Sequence, residues 1–127
     1  MSGALFLAVG SAVWMTFTCE PISDFAAQGG PLIVSFEQNG ERIRRIVTIN
    51  PVGSQDRRRW RGEFVGESYK LRYREECLIM SRTITPKAGS PERFTLNEYW
   101  GVSCGHTPMS RTENYVCEVQ MAEVIEQ

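Results

Sequence analysis

Residues 32–50 of the chain are LIVSFEQNGERIRRIVTIN, and this stretch decides the fold. Two runs rich in Leu, Ile, Val and Phe flank Asn39-Gly40. That dipeptide favours the type I′ turn of a two-residue β-hairpin, in which both central residues take φ > 0. The stretch therefore predicts an antiparallel β protein.

Pairing outward from the predicted turn places Glu37 opposite Arg42 on the polar face of the hairpin. The opposite face is apolar and consists of Leu32, Val34, Phe36, Ile43, Val47 and Ile49. Arg45 falls on the apolar face in this register. A β-bulge near Arg44–Ile46 is therefore expected.

The rest of the chain consists of short alternating or apolar segments separated by Gly, Pro, Asn and Ser. Residues 105–114 are polar and predict a loop, and residues 24–28 predict a short helical turn. Besides the hairpin, strands are predicted at 12–20, 57–66, 69–76, 77–85, 94–102 and 115–121. The predicted fold class is all-β, a single antiparallel sandwich or small barrel of about eight strands over residues 1–127.

The N-terminal segment carries no charged side chain between Met1 and Thr18. Residues 1–11 are predicted to form an apolar N-terminal arm or a first strand, and an arm of this kind would pack on a neighbouring subunit. Gly10-Ser11-Ala12 resembles a small-residue cleavage site, so a signal peptide stays open, although the positive n-region is missing. The segment is too short and interrupted for a transmembrane helix, and none is expected.

Four cysteines in a small β-rich chain indicate a disulfide framework, and hence an oxidising or extracellular setting: the periplasm, a secreted state or a virion surface. Cys104 and Cys117 bracket the polar loop and are predicted to pair. Cys19 with Cys77 is the default second pair, and four reduced thiols in a cytosolic protein stay open as the alternative. Cys104-Gly-His106 lacks a second spaced pair of ligands, so neither a metal nor a cofactor is predicted.

Charge is distributed unevenly, although the net charge is only −1. Residues 42–82 hold eleven Lys or Arg and five Asp or Glu, a balance of +6, and the rest of the chain has three and ten, a balance of −7. Basic residues recur at period two, and the predicted binding face consists of Arg42, Arg44, Arg57, Arg59, Arg61, Lys70, Arg72 and Arg74. Such a face would attract a polyanion in a salt-dependent manner. The alternative is a solvated outer face whose charges keep sheet edges apart.

Catalysis is not indicated by the sequence. The chain has one histidine, His106, and no G-x-S-x-G elbow. Glu75 and Glu76 are adjacent, so on a strand they face opposite ways and cannot share a proton. The chain is therefore predicted not to be an enzyme, and no small-molecule substrate is expected.

Three segments together resemble the small periplasmic inhibitors of C-type lysozyme: Phe17-Thr18-Cys19, the LIVSF of residues 32–36, and Gly66-Glu-Ser-Tyr69. That family consists of disulfide-held β-barrels that block the lysozyme cleft with a Ser-Gly-x-x-Tyr loop. The resemblance implies a small barrel, export to the periplasm and a loop at Gly66 and Tyr69. Val65 stands where the family has Ser.

The leading functional hypothesis is a non-catalytic binding or structural β-domain protein. As a subunit of a larger assembly, such as a virion or a secretion-type particle, it would pack through residues 1–11 and the basic face. Its partners would be neighbouring subunits or another protein, and the basic face also suits an anionic ligand. The alternative is an exported periplasmic binding or inhibitor protein, and an enzyme is the third hypothesis.

Overall fold

The computed structural model describes residues 12–22 and 30–125, so the predicted N-terminal arm and the helical turn at 24–28 lie outside the described residues. Over these described residues the fold is all-β, with 75% strand and no helix. The strands are β1 Ala12–Pro21, β2 Leu32–Asn39, β3 Arg42–Ile49, β4 Gln55–Asp56, β5 Arg61–Val65, β6 Ser68–Glu75, β7 Leu78–Lys87, β8 Ser90–Val102 and β9 Met109–Ile125. Within the described ranges, no helix is long and apolar enough to cross a membrane.

Eight of these strands form a closed antiparallel barrel, which confirms the prediction of a small barrel of about eight strands. The hydrogen-bonded order is β2-β1-β9-β8-β7-β6-β5-β3, and β3 pairs again with β2 to close the ring. The short β4 pairs with the end of β3, through Thr48 with Asp56 and Ile49 with Gln55.

The β2–β3 hairpin exists, but its turn lies one residue further along than predicted. Asn39 pairs with Arg42, so Gly40 and Glu41 are the two loop residues. Gly40 has φ 62°, whereas Glu41 is not among the residues with positive φ. This is the pattern of a type II′ turn, which needs φ > 0 only at its first central residue. The type I′ turn at Asn39-Gly40 and the pairing of Glu37 with Arg42 are therefore wrong, and Glu37 lies opposite Arg44.

The expected β-bulge in β3 is confirmed. The register shifts between Ser35 and Glu37 of β2, and Arg45 of β3 has φ 58°. The extra residue turns Arg45 outward and reverses the alternation after it. Ile46 and Thr48 consequently face the core. The prediction that Val47 and Ile49 lie on the apolar face is therefore wrong: Val47 is half-buried and Ile49 is exposed.

One half of the barrel interior is filled by aromatic rings. Tyr69 of β6 lies 4.7 Å from Phe64, 5.1 Å from Phe36 and 5.5 Å from Phe17, measured between ring centroids. Burial raises the pKa of the Tyr69 hydroxyl to about 12. Gly62 of β5 allows close approach here, because a Cβ atom would lie 2.8 Å from Leu71.

The other half of the interior is polar and contains Arg82 of β7, which is 3% exposed. The Nε atom of Arg82 donates to Oε2 of Glu98 at 2.6 Å, and its Nη1 donates to the Thr48 hydroxyl at 3.0 Å. Its guanidinium also lies 4.4 Å above the Trp60 ring. A buried charge needs such partners, and the barrel wall supplies a carboxylate, a hydroxyl and an aromatic face for Arg82.

The disulfide connectivity differs from the prediction. Cys19 pairs with Cys117, and Cys77 pairs with Cys104. The prediction was wrong because residues 109–114 belong to β9 rather than to a loop. Cys117 thus lies inside a long strand, directly opposite Cys19 of β1, and both side chains are buried. Two disulfides suggest an oxidising setting.

Candidate functional site

The candidate site is a basic stripe on the outer surface of three adjacent strands, β3, β5 and β6. Strand β5 lies between β3 and β6, so cations from all three meet on one face. The basic stripe consists of Arg42, Arg61, Lys70, Arg72 and Arg74, and all five side chains are exposed. Leu71 is buried and Tyr73 is half-buried, so the alternation along β6 is as predicted.

The other three predicted residues are also exposed, but they lie beside the stripe. Arg57 and Arg59 belong to the connection between β4 and β5, not to a strand as predicted. Asp56 causes this turn: its Oδ1 accepts from the backbone N–H of Arg58 at 2.9 Å, and its Oδ2 accepts from the Trp60 indole at 3.2 Å. These bonds tie the connection to the end of the barrel.

Burial raises the pKa of Asp56, but the hydrogen bonds from Arg58 and Trp60 and the charges of Arg58 and Arg82 outweigh it. The pKa of this carboxyl is therefore below its usual value, and Asp56 stays ionised as a structural anchor.

Arg44 lies with Arg45 over the carboxylate of Glu37. Nε of Arg44 is 2.7 Å from Oε2 of Glu37, and Nη1 of Arg45 is 3.0 Å from Oε1. The hydrogen bond from Arg44 lowers the pKa of Glu37; covering of the carboxylate opposes this, and Arg45 adds to the lowering. The two arginines are more than half exposed and remain accessible beyond this contact.

Among the described outward-facing positions of β3, β5 and β6, Glu63 is the one acidic residue beside the five cations of the basic stripe. Glu63 is the cross-strand neighbour of both Arg42 and Lys70, and it accepts from Nη2 of Arg72 at 3.2 Å. Arg61 and Arg72 are paired directly opposite each other. Like charges in that relationship are destabilising. Over the described residues, the remaining four cations of the stripe form no ion pair.

The stripe continues into a neutral polar surface, because the barrel aligns outward side chains in rows across its strands. The first row is Arg61, Arg72, Ser81, Tyr99 and Thr112. The second row is Arg42, Glu63, Lys70, Thr83, Asn97 and Asn114. Neighbouring strands are about 4.8 Å apart and residues two apart along a strand about 7 Å. Cations and neutral polar groups therefore form one continuous face.

The buried polar cluster around Arg82 is a second group of charged residues, but it offers no access to a ligand. Arg82 is enclosed by Glu98, Thr48 and Trp60, and Trp60 is itself buried and bonded to Asp56. No buried side-chain nitrogen or oxygen of the described residues lacks a hydrogen-bond partner. The cluster is therefore a closed structural network.

The described part of the chain contains few groups that could support catalysis or metal binding. The only histidine, His106, is exposed in the loop after β8. Cys104, two residues before His106, is bonded to Cys77. Among residues 12–22 and 30–125 there is no group of three or more His, Cys, Asp or Glu that could hold a metal ion.

The sequence analysis missed several contributors to this outer face. Arg45 prompted the expectation of a bulge but was not counted among the binding cations, although the bulge leaves both Arg44 and Arg45 exposed. Tyr99 and Thr112 were not singled out, because their position beside the cations depends on the pairing of β8 with β7 and β9. No local pattern encodes that pairing.

Comparison of the chain with protein-family models, with curated proteins and with solved structures finds no match. The loop that resembles the lysozyme inhibitors contains Gly66, which has φ 65° in the β5–β6 turn. Tyr69, however, is 3% exposed and packs among Phe17, Phe36 and Phe64. Its ring does not project from the loop toward a partner.

Proposed function

We propose that this chain is a non-catalytic binding protein of an oxidising setting, and that its basic stripe holds an anionic macromolecule. The observation that carries the proposal is the row geometry of β3, β5 and β6, which aligns five exposed cations around the single carboxylate of Glu63. Phosphate or sulfate groups of a linear polyanion would neutralise these cations and release bound counterions.

The energetics of the stripe support binding over a purely solvated surface. The Arg61–Arg72 pair costs stability in the isolated protein, whereas an anion between the two guanidinium groups removes the repulsion. Protection of sheet edges does not account for these charges, because β5 is hydrogen-bonded on both sides within a closed barrel.

An assembly role stays a prediction alongside this proposal. In a virion or a secretion-type particle, the anionic macromolecule would be a component of the particle, and the arm of residues 1–11 would make the subunit contact. In an exported periplasmic protein, the same stripe would serve a free ligand. Both versions share the stripe, so one binding experiment tests their common premise.

The experiment measures binding of heparin and of a single-stranded DNA oligonucleotide across a range of salt concentrations. Wild type should bind at low salt, and the logarithm of the association constant should fall linearly with the logarithm of salt concentration. The variant Arg61→Gln, Lys70→Gln, Arg74→Gln removes three cations that form no ion pair among the described residues. The magnitude of its slope, log association constant against log salt concentration, should be smaller than that of wild type by about 2–3.

A matched control removes three cations from elsewhere on the barrel: Lys87→Gln, Arg93→Gln and Arg111→Gln. Both triple variants have the same net charge, so bulk electrostatics cannot distinguish them. The control should keep the wild-type slope. Equal losses in the two variants, or no binding by wild type at low salt, would refute the proposal.

A further inference from the structure

The neutral surface beside the basic stripe indicates which class of anionic macromolecule binds there. This inference rests on the proposed function. We infer that the partner is an anionic polysaccharide, bearing sulfate or uronate groups, whose sugar rings lie on Tyr99 and the neutral polar side chains of β7, β8 and β9. The acidic groups of the same chain lie over the basic stripe. The two rows described above give this face its layout.

The neutral side chains of β7, β8 and β9 match the hydrogen-bonding character of sugars. They are Ser81, Thr83, Asn97, Thr112 and Asn114. Hydroxyl and amide groups both donate and accept, as sugar hydroxyls do, and they hold a ligand without contributing charge. Asn97 already donates from Nδ2 to Oδ1 of Asn114 at 2.7 Å, which leaves the second N–H of Asn97 available to a ligand. No Lys, Arg, Asp or Glu interrupts the two rows between β7 and β9.

Tyr99 supplies a flat platform within the first row. A Cβ atom built on Gly101 would lie 2.7 Å from the Tyr99 hydroxyl and 3.1 Å from two of its ring carbons. The ring therefore lies against the backbone at Gly101 rather than standing away from the barrel, and 38% of Tyr99 is exposed. The exposed face of an aromatic ring is electron-rich and attracts the polarised C–H groups of a sugar ring. A shallow, open depression of about 250 Å³ adjoins it, lined also by Ile79 and Met109.

Nucleic acid fits the same face less well. Sequence-tolerant binding of single strands relies on successive bases stacking on successive aromatic side chains. The aromatic residues nearest the basic stripe are turned inward: Tyr69 and Trp60 are buried, and Tyr73 packs 5.9 Å from Trp60 between ring centroids. Tyr99 is the one aromatic residue in the two rows, and its strand β8 lies two strands from the β6 strand that carries Arg72. One ring among hydroxyl and amide groups suits a sugar chain.

The test compares a heparin oligosaccharide with an oligothymidylate of equal charge, at one low salt concentration, by calorimetry. Tyr99→Ala should weaken heparin binding about threefold to tenfold and change oligothymidylate binding less than twofold. Gly101→Ala should have a similar effect, because the new methyl group displaces the flexible Tyr99 ring. Asn97→Ala combined with Thr112→Ala should weaken heparin binding about tenfold.

Two control variants accompany these. Tyr99→Phe keeps the ring and should bind heparin as wild type does. Thr18→Ala removes a hydroxyl from β1, where Thr18 pairs with Glu118 of β9 and so lies outside the two rows, and should also bind as wild type does. Melting temperatures check that each variant is folded.

The outcomes separate this inference from the function on which it rests. Failure of wild type to bind either polyanion refutes both. If wild type binds both polyanions, the basic stripe stands as a polyanion site. The polysaccharide inference is overturned in that case if Tyr99→Ala and the double variant weaken binding of both polyanions equally, weaken binding of oligothymidylate only, or weaken neither. Selective loss of heparin binding supports the inference.

Discussion

Nε of Arg82 and Oε2 of Glu98 lie 2.6 Å apart inside the barrel, with 4% and 13% of the two side chains exposed. Breaking a buried pair by removing one partner leaves an uncompensated charge and costs about 3–5 kcal/mol. Glu98→Leu should therefore lower the free energy of unfolding by roughly that amount, as measured by urea denaturation. Adding Arg82→Met should recover most of the loss, because both charges are then gone.

The exposed pair of Arg93 and Glu118 is the matched control for that prediction. Its closest atoms are 4.0 Å apart, and more than half of each side chain is exposed. Arg93→Gln should change the free energy of unfolding by less than about 1 kcal/mol. A loss of similar size for Glu98→Leu and Arg93→Gln would contradict the buried network seen in the barrel.

The two disulfides should differ in their contribution to stability. The Cys19–Cys117 bond spans 98 residues and the Cys77–Cys104 bond spans 27. In the chain-entropy model these loops correspond to about 4.7 and about 3.5 kcal/mol. The double variant Cys19→Ala, Cys117→Ala should therefore unfold at a lower urea concentration than Cys77→Ala, Cys104→Ala.

Peptide mapping without reductant checks the connectivity directly. The expected digest joins the Cys19 peptide to the Cys117 peptide and the Cys77 peptide to the Cys104 peptide. Any other pairing in the folded protein would mean that β1 and β9 are not neighbours, and would overturn the barrel order as well.

The β2–β3 turn gives a test that distinguishes the observed register from the one that the sequence predicts. Gly40 has φ 62°, so Gly40→Val places a β-branched side chain in the left-handed region and should cost at least about 1–2 kcal/mol. Asn39 does not have positive φ, so Asn39→Ala should cost less than about 0.5 kcal/mol. A large loss for Asn39→Ala would favour the type I′ turn at Asn39-Gly40.

Features that depend on alternation along a single strand can be predicted from the sequence. Lys70, Leu71 and Arg72 alternate in type, so their faces follow from parity alone, and the bulge at Arg45 follows from a break in that parity. The exposed cations of the site could therefore be found without a structure.

The closure of the barrel could not be predicted in the same way. Arg82 of β7 meets Thr48 of β3, 34 residues away, inside the closed ring, and Cys19 meets Cys117, 98 residues away, because β1 pairs with β9. Which strands become neighbours depends on the whole sheet and not on any local pattern. Cys104 and Cys117 were predicted to pair because they are close in sequence, but β9 carries Cys117 along the barrel to β1.

The last prediction concerns Glu37 and acid. The hydrogen bond from Arg44 lowers the pKa of Glu37, burial of the carboxylate opposes this, and Arg45 adds to the lowering. The pKa of Glu37 therefore lies below its ordinary value of 4.5. The folded state thus binds this proton more weakly than the unfolded state does. The stabilisation is present above pH 4.5 and is lost as the pH falls through the lowered pKa of the folded protein.

Glu37→Gln, which cannot ionise, isolates this effect. At neutral pH the variant should be less stable than wild type, and below pH 4.5 the difference in free energy of unfolding should shrink steadily as Glu37 of wild type becomes protonated. Urea denaturation at a series of pH values measures it. The variant itself should still lose stability in acid, because the pKa of Asp56 is also lowered. A difference between the two proteins that stays constant from pH 7 to well below pH 4.5 would show that Glu37 does not titrate with folding. Arg44 and Arg45 would then be free of Glu37 and would add two unpaired cations to the outer face of the barrel.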